Sequence, residues 1–429
     1  MSGPLKGQAD VPGDKSISHR ALILGALAHG ITRIKGLATG QDCGSTIRCL
    51  RALGVAIEAA GDECLVSGRG PEGLSEPADV LDAGNSGTTM RLLSGILAGR
   101  SFFSVVTGDD SLRRRPMDRI IEPLREMGAA IYGRSLSKFP PLAILGTSLR
   151  PVYWETRMAS AQVKSCILLA GLLAPGLTSV VEPATSRDHT ERMLRFFGAR
   201  VDESNDSKGH TVSIQGEARL EGRDLSIPGD LSSAAYLIAA AAITPGSEVV
   251  IRNVGINPTR TGFLECLTRM GCDLATFNER EYAGEPVADI AVRFSQLKGI
   301  PVEASMVPRL IDEIPVLAAV ATQADGMTTI SGAKELRVKE SDRITAMATE
   351  LARIGAKVEE LPDGLVISGK TPITGGVTCK SYGDHRVAMA LAIMGFVSRD
   401  PIRIEGAECV DISFPGFWNT IAGLACNGH

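Results

Sequence analysis

A glycine-ended helix signature recurs along the chain, and no other feature constrains the fold as much. Leu53-Gly54-Val55, Met127-Gly128-Ala129, Phe197-Gly198-Ala199, Met270-Gly271-Cys272 and Ile354-Gly355-Ala356 each read as a helix end followed by a short strand. Their spacing is roughly seventy residues, slightly more in the last gap, which suits a compact supersecondary unit rather than a solenoid repeat. Glycine fits such a helix end because the residue after the last turn takes a left-handed backbone that a Cβ disfavours. A weaker sixth copy is expected near Ala422-Gly423.

Between these copies lies a second recurring element: a polar opening that runs into an Ala/Leu-rich helix. The openings are Lys15-Ser16, Asn85-Ser86, Ser160-Ala161-Gln162, Asp230-Leu231-Ser232, Asp312-Glu313 and Asp384-His385-Arg386. Their continuations, such as Ala21 to Ala28, Met90 to Ala98 and Ala234 to Ala242, are apolar on most faces and must be buried. Each unit is therefore an α/β (α+β) module of strands, one buried helix and one amphipathic helix. Six modules in 429 residues group most economically into two domains of three. Val11-Pro12-Gly13-Asp14 and Ile227-Pro228-Gly229-Asp230 are near copies at strand-to-helix turns and read as the two crossings between domains. Domain one is expected over 14–228. Domain two is expected over 1–13 and 229–429, closed by the N-terminal strand.

Bulk properties exclude several classes. A net charge of −4 and 4% aromatic residues argue against a nucleic-acid binder, which needs a basic excess or stacking platforms. None of the nine cysteines forms a C-x-x-C pair, so no metal site is expected. The stretch from Met1 to Asp14 does not resemble a signal peptide, and the apolar runs are too short to span a bilayer. A cytoplasmic location with reduced thiols is the expectation.

The helix openings carry more cation and amide than capping requires. Helix N-termini attract phosphate and carboxylate through free N–H groups and the dipole. Lys15, Ser16 and Arg20 lie at the first opening, Asn85, Ser86, Gly87 and Thr88 at the second, Ser160 and Gln162 at the third, and His385 and Arg386 at the sixth. Arg113 to Arg115, Arg187, and the cluster Lys339, Glu340, Asp342 and Arg343 sit before the amphipathic helices. Taken singly, each opening is explained as a cap and each cluster as a solvated face. Their recurrence at equivalent places in the repeat argues for a site binding small anions. Asp312 and Glu340 suit general acid–base work; equally, Asp312 could cap its helix and Glu340 could neutralise Lys339 and Arg343.

Six motifs carry a resemblance: V-P-G-D-K-S-I-S-H-R at 11–20, G-N-S-G-T-T-M-R at 84–91, R-R-P-M-D at 114–118, S-A-Q at 160–162, R-V-K-E-S-D-R at 337–343 and G-D-H-R at 383–386. In this order, over nearly the whole chain, they resemble the signatures of the EPSP synthases, an enolpyruvyl transferase family. The resemblance implies a two-domain fold with three sheet-and-helix units per domain, an interdomain cleft that closes on its substrates, and a monomer. It also implies enolpyruvyl transfer from phosphoenolpyruvate to the 5-hydroxyl of shikimate 3-phosphate by addition and elimination, with no metal or organic cofactor. Shikimate 3-phosphate would be bound by Lys15, Ser16, Arg20, Ser160, Ala161, Gln162, Ser186, Arg187, Asp312 and Lys339. Phosphoenolpyruvate would be bound by Lys15, Gly87, Arg115, Gln162, Arg343 and Arg386. Asp312 would take the hydroxyl proton, and Glu340 would deliver and later remove a proton at the methylene carbon. Asn85 and His385 are neighbours.

The chain departs from some family members at Ala161, His189 and Ile412, where a serine, a tyrosine and a lysine are often found. These features resemble the branch typified by glyphosate-tolerant bacterial enzymes, although Gly87 replaces that branch's usual alanine. Two alternatives are a UDP-N-acetylglucosamine enolpyruvyl transferase and a non-catalytic anion binder on the same fold. Typical members of the first carry a reactive cysteine in a loop that corresponds to Gly108–Pro116, which has none. The second would have little use for Asp312 and Glu340.

Overall fold

The computed structural model describes residues 3–426; residues 1, 2 and 427–429, at the ends of the expected second domain, lie outside the described residues. The chain divides into two compact units. One comprises Gly13–Ile227 and Tyr282–Glu285; the other comprises the N-terminal stretch to Pro12, Pro228–Glu281 and the chain from Pro286 onward. Each unit has its own hydrophobic core.

Six helix pairs carry the repeat among the described residues. They are α1 (Lys15–Leu27) with α2 (Gln41–Ala52), α3 (Gly87–Leu97) with α4 (Asp118–Glu126), α5 (Ala161–Gly171) with α6 (His189–Phe196), α7 (Leu231–Ile243) with α8 (Gly262–Arg269), α9 (Ile314–Ala321) with α10 (Arg343–Arg353), and α11 (His385–Met394) with α12 (Phe417–Cys426). The first helix of each pair is the buried one; every residue of α7, α9 and α11 is buried. The second is amphipathic: α4, for example, buries Ile120, Ile121 and Leu124 and turns its charged residues outward. Burial on all sides requires close backbone approach. A Cβ on Gly95 of α3 would lie 2.3 Å from the Cys166 carbonyl oxygen of α5, so glycine is what lets these helices touch.

The helix-ending glycines behave as expected at five positions. Gly54, Gly128, Gly198, Gly271 and Gly355 follow α2, α4, α6, α8 and α10 with φ between 87° and 105°. The sixth expectation is corrected: Gly423 lies inside α12 and ends no helix. The reason is in the sheets. In the first, His29–Lys35 pairs antiparallel with Glu63–Arg69, which pairs antiparallel with Ala56–Ala60, and Asp224–Ser226 adds a parallel edge. The same four-strand order recurs around Phe103–Thr107, Leu177–Glu182, Glu248–Gly255 and Met327–Ile330. Among the described residues, the last unit has the parallel pair Thr378–Lys380 and Arg403–Glu405 alone. It lacks the hairpin into which a capped helix would lead.

Both proline-glycine turns end in aspartates that cap buried helices. Asp14 accepts from Ile17 N at 2.9 Å, and Asp230 from Ser232 N at 3.0 Å. Glycine is required at the first turn, where a Cβ on Gly13 would fall 1.8 Å from the Gly36 carbonyl oxygen. Lys6–Ala9 pairs in parallel with Glu248–Gly255. No helix among the described residues is long and apolar enough to cross a membrane.

Candidate active site

Within Gly13–Ile227, the N-termini of α1, α3 and α5 gather the cations. Lys15 Nζ lies 2.9 Å from Asp42 Oδ2. Arg20, one turn further into α1, is buried and fully directed: Nη1 donates to the Ser16 carbonyl at 2.9 Å, Nη2 to Ser165 Oγ at 2.8 Å and Nε to Thr190 Oγ1 at 2.6 Å. Burial lowers its pKa to about 10, with Glu191 opposing and Arg187 adding to the fall. Arg187 itself is half-buried, next to the buried Ser186. Gln162 accepts from Arg91 Nη1 at 2.5 Å and donates to Thr88 Oγ1 at 2.9 Å. Arg115 donates to Asn85 Oδ1 at 2.7 Å, and Asn85 donates to Asp109. A Cβ on Gly87 would meet Arg91 Nη1 at 2.7 Å and Arg115 Nη1 at 3.4 Å, so this glycine sits against two guanidinium groups.

A buried chain of side chains ties the helices that carry these groups. His19 Nδ1 is 2.7 Å from Thr46 Oγ1, which is 2.7 Å from Thr89 Oγ1, which donates to the cap Ser86 at 2.8 Å. Burial drives the His19 pKa from 6.5 down to about 3, with Lys15 and Arg20 adding to the fall against Asp42. Unfolded, His19 takes a proton below about pH 6.5; folded, it stays neutral down to about pH 3. Its contribution is complete above the unfolded pKa and is lost as the pH falls through this window, at up to about 1.4 kcal/mol per pH unit. His19→Gln should therefore show a shallower loss of urea stability than wild type between about pH 6.5 and pH 4. Equal slopes would remove His19 from the acid limb.

The other unit assembles a different set. Arg343, 1% exposed, opens α10 and binds three carboxylates. Its Nε donates to Asp384 Oδ2 at 2.8 Å, Nη2 to Glu340 Oε2 at 2.6 Å and Nη1 to Asp312 Oδ1 at 3.3 Å. Lys339 Nζ lies 3.6 Å from Asp312 Oδ1, and Arg386 Nη1 donates to the Asp312 carbonyl at 2.8 Å. Although burial opposes the charge on both partners, their attraction wins: the Asp384 carboxyl is held below its usual range and the Arg343 guanidinium above its own. His385, the buried first residue of α11, also favours the charged form of Asp384.

The two sets differ in balance. The first holds five cations, Lys15, Arg20, Arg91, Arg115 and Arg187, with Lys15 paired to Asp42, and such a concentration of positive charge suits small anions. In the second, Lys339, Arg343 and Arg386 are paired with Asp312, Glu340, Asp384 and Glu313, so carboxylates and cations lie in direct contact.

Asp312 does not cap its helix. It sits in a 3-10 turn, Ile311–Glu313, and Glu313 takes the cap position of α9. Ala161 is the first residue of α5 and offers no hydroxyl. Arg113 and Arg114 stay outside the set: Arg113 turns to the Gly108 carbonyl, and Arg114 is exposed. Arg91, Asp42 and Asp384 join it without having been singled out for such roles. Arg91 was findable, since it lies four residues after Gly87 on one helix face. Asp42 was not, because only helix packing brings it to Lys15.

The chain matches known proteins over almost its whole length. The family model described as EPSP synthase (3-phosphoshikimate 1-carboxyvinyltransferase) covers residues 1–421. A 3-phosphoshikimate 1-carboxyvinyltransferase of Desulforudis audaxviator is 54% identical over 98% of this chain and 97% of the relative. One from Geobacillus kaustophilus is 52% identical over 98% of each. Among solved structures, an EPSP synthase from Acinetobacter baumannii superposes with a TM-score of 0.87 at 46% identity, covering 100% of this chain and 96% of that one. The enolpyruvyl transferase NikO from Streptomyces tendae shares the fold, with a TM-score of 0.79 at 17% identity over 98% and 95% of the two chains.

Proposed function

This chain belongs to the EPSP synthase family, and we propose that its two residue sets divide the labour of that family's reaction between them. The enzyme transfers the enolpyruvyl group of phosphoenolpyruvate to the 5-hydroxyl of shikimate 3-phosphate and releases inorganic phosphate.

The cation-rich set holds the two anionic substrates. Lys15, Ser16, Arg20, Ser160, Ala161, Gln162, Ser186 and Arg187 line the acceptor, with Arg20 and Arg187 toward its phosphate. Lys15, Gly87, Arg115 and Gln162 take phosphoenolpyruvate, and Gly87 leaves the room that a side chain would fill. From the other set, Lys339 and Asp312 reach the acceptor, while Arg343 and Arg386 bind the donor. Asp312 removes the 5-hydroxyl proton as that oxygen attacks C2 of phosphoenolpyruvate, and Glu340 protonates C3. In the elimination, Glu340 takes a proton back from C3 as the C2–O bond to phosphate breaks. Preplaced cations stabilise the charge throughout without reorganising. Asn85 and His385 position Arg115 and Asp384.

The observation that carries this reading is the pair of carboxylates on the two ends of one guanidinium: Asp312 on Arg343 Nη1 and Glu340 on Nη2. One cation orients both proton-transfer groups. We also assign the protein to the cytoplasm, acting as a monomer on small molecules; the nine free cysteines, eight of them buried, suit a reducing compartment.

Product analysis tests the assignment. Incubation with both substrates should yield the enol ether at the 5-oxygen, identified by NMR; a product substituted elsewhere, or none, would overturn it. Lys15→Ala should raise KM for both substrates by about tenfold or more, the cost of a lost charged contact. An unchanged KM for both would take Lys15 out of the site.

A further inference from the structure

Three charged side chains of the Gly13–Ile227 unit have no part in the reaction, yet none is exposed at all. Lys164 Nζ lies 2.9 Å from Glu182 Oε2 and 2.7 Å from Glu191 Oε1, and each of the three side chains is 0% exposed. Burying such a triad is expensive, and an apolar trio of the same volume would stabilise the fold as well or better. The two carboxylates also differ in what they touch. Glu182, at the end of the strand Leu177–Glu182, accepts from Ser160 N at 2.8 Å and from Ser186 Oγ at 2.8 and 2.7 Å. Ser186 N points to it as well, at 3.4 Å. Glu191, on α6, pairs with Lys164 and reaches neither serine.

We propose that Glu182 is a positioning residue for acceptor binding, joining the N-terminus of α5 to the loop before α6, and that Lys164 neutralises it there. The proposal rests on the assignment of Ser160, Ser186 and Arg187 to shikimate 3-phosphate. One carboxylate fixes the backbone of the first serine and the hydroxyl of the second, and so sets the separation of the two segments that grip the acceptor. A bare carboxylate at that place would repel the acceptor's phosphate. Lys164 offsets that charge without itself reaching solvent, and Glu191, which burial pushes toward its neutral form, holds Lys164 from its other side.

Steady-state kinetics of Glu182→Gln and Glu191→Gln in the full chain test this. Glu182→Gln should raise KM for shikimate 3-phosphate by about tenfold or more, with kcat and the KM for phosphoenolpyruvate within about threefold of wild type. Glu191→Gln removes a carboxylate from the same buried triad and should leave all three parameters within about threefold, whatever its Tm. If Glu182→Gln does not fold, Glu182→Asp keeps the charge, draws it back from the serines and should raise the same KM alone. A purely structural triad would make the Glu182 and Glu191 variants alike, or lower Tm with no selective change in KM; either result overturns the proposal. If wild type turns over these substrates and the variants are unselective, only this inference fails. If wild type does not turn them over, the assignment of function fails and takes the inference with it.

Discussion

Glu340→Gln is expected to lower kcat by about a thousandfold while the dissociation constant for shikimate 3-phosphate stays within about threefold. Glutamine keeps the length of the side chain, and its amide oxygen can still accept from Arg343 Nη2, which sits 2.6 Å from Glu340 Oε2. The geometry therefore survives and the proton does not. In the proposed mechanism both halves of the reaction pass a proton through this carboxyl, first to C3 and then away from it, so its loss should slow both. Single-turnover kinetics and calorimetric binding separate the two effects. Turnover near wild type with weakened acceptor binding would make Glu340 a binding group and remove the proposed acid–base role.

Arg343→Met should cost about 3–5 kcal/mol of stability, because it strands the buried carboxylate of Asp384. Arg343 is the shared partner of Asp312, Glu340 and Asp384, and Asp384 is 0% exposed. Asp384 also accepts from Arg386 N at 2.9 Å at the start of α11, so the damage spreads to the helix that presents Arg386. Adding Asp384→Asn should recover part of the loss, since an uncharged amide can keep the cap without the buried charge. Urea unfolding measures both. A loss below about 1 kcal/mol for the single variant would mean that water replaces the guanidinium, and that the cluster is wetter than its burial implies.

How much of this was legible beforehand follows from which residues act locally. The glycines after α2, α4, α6, α8 and α10 could be read because a helix end states its need within three residues. Gly423 misled because the same local pattern sits in a unit whose sheet stops at two strands, and strand pairing is not local. The polar openings of α1, α3, α5 and α11 were readable because buried helices that begin with Lys, Asn, Gln or Arg carry more polar groups than capping requires. Asp312 was visible as a carboxylate, but its release from capping depends on the 3-10 turn before α9. Glu182 gave no signal at all, since a single glutamate ending an apolar strand acquires meaning only when Ser160, Lys164 and Ser186 fold around it.

The central claim is tested most directly by inorganic phosphate release from the purified protein, given phosphoenolpyruvate with either shikimate 3-phosphate or UDP-N-acetylglucosamine. Release with shikimate 3-phosphate alone is the predicted result. Release with the sugar nucleotide alone, or with neither acceptor, would contradict it.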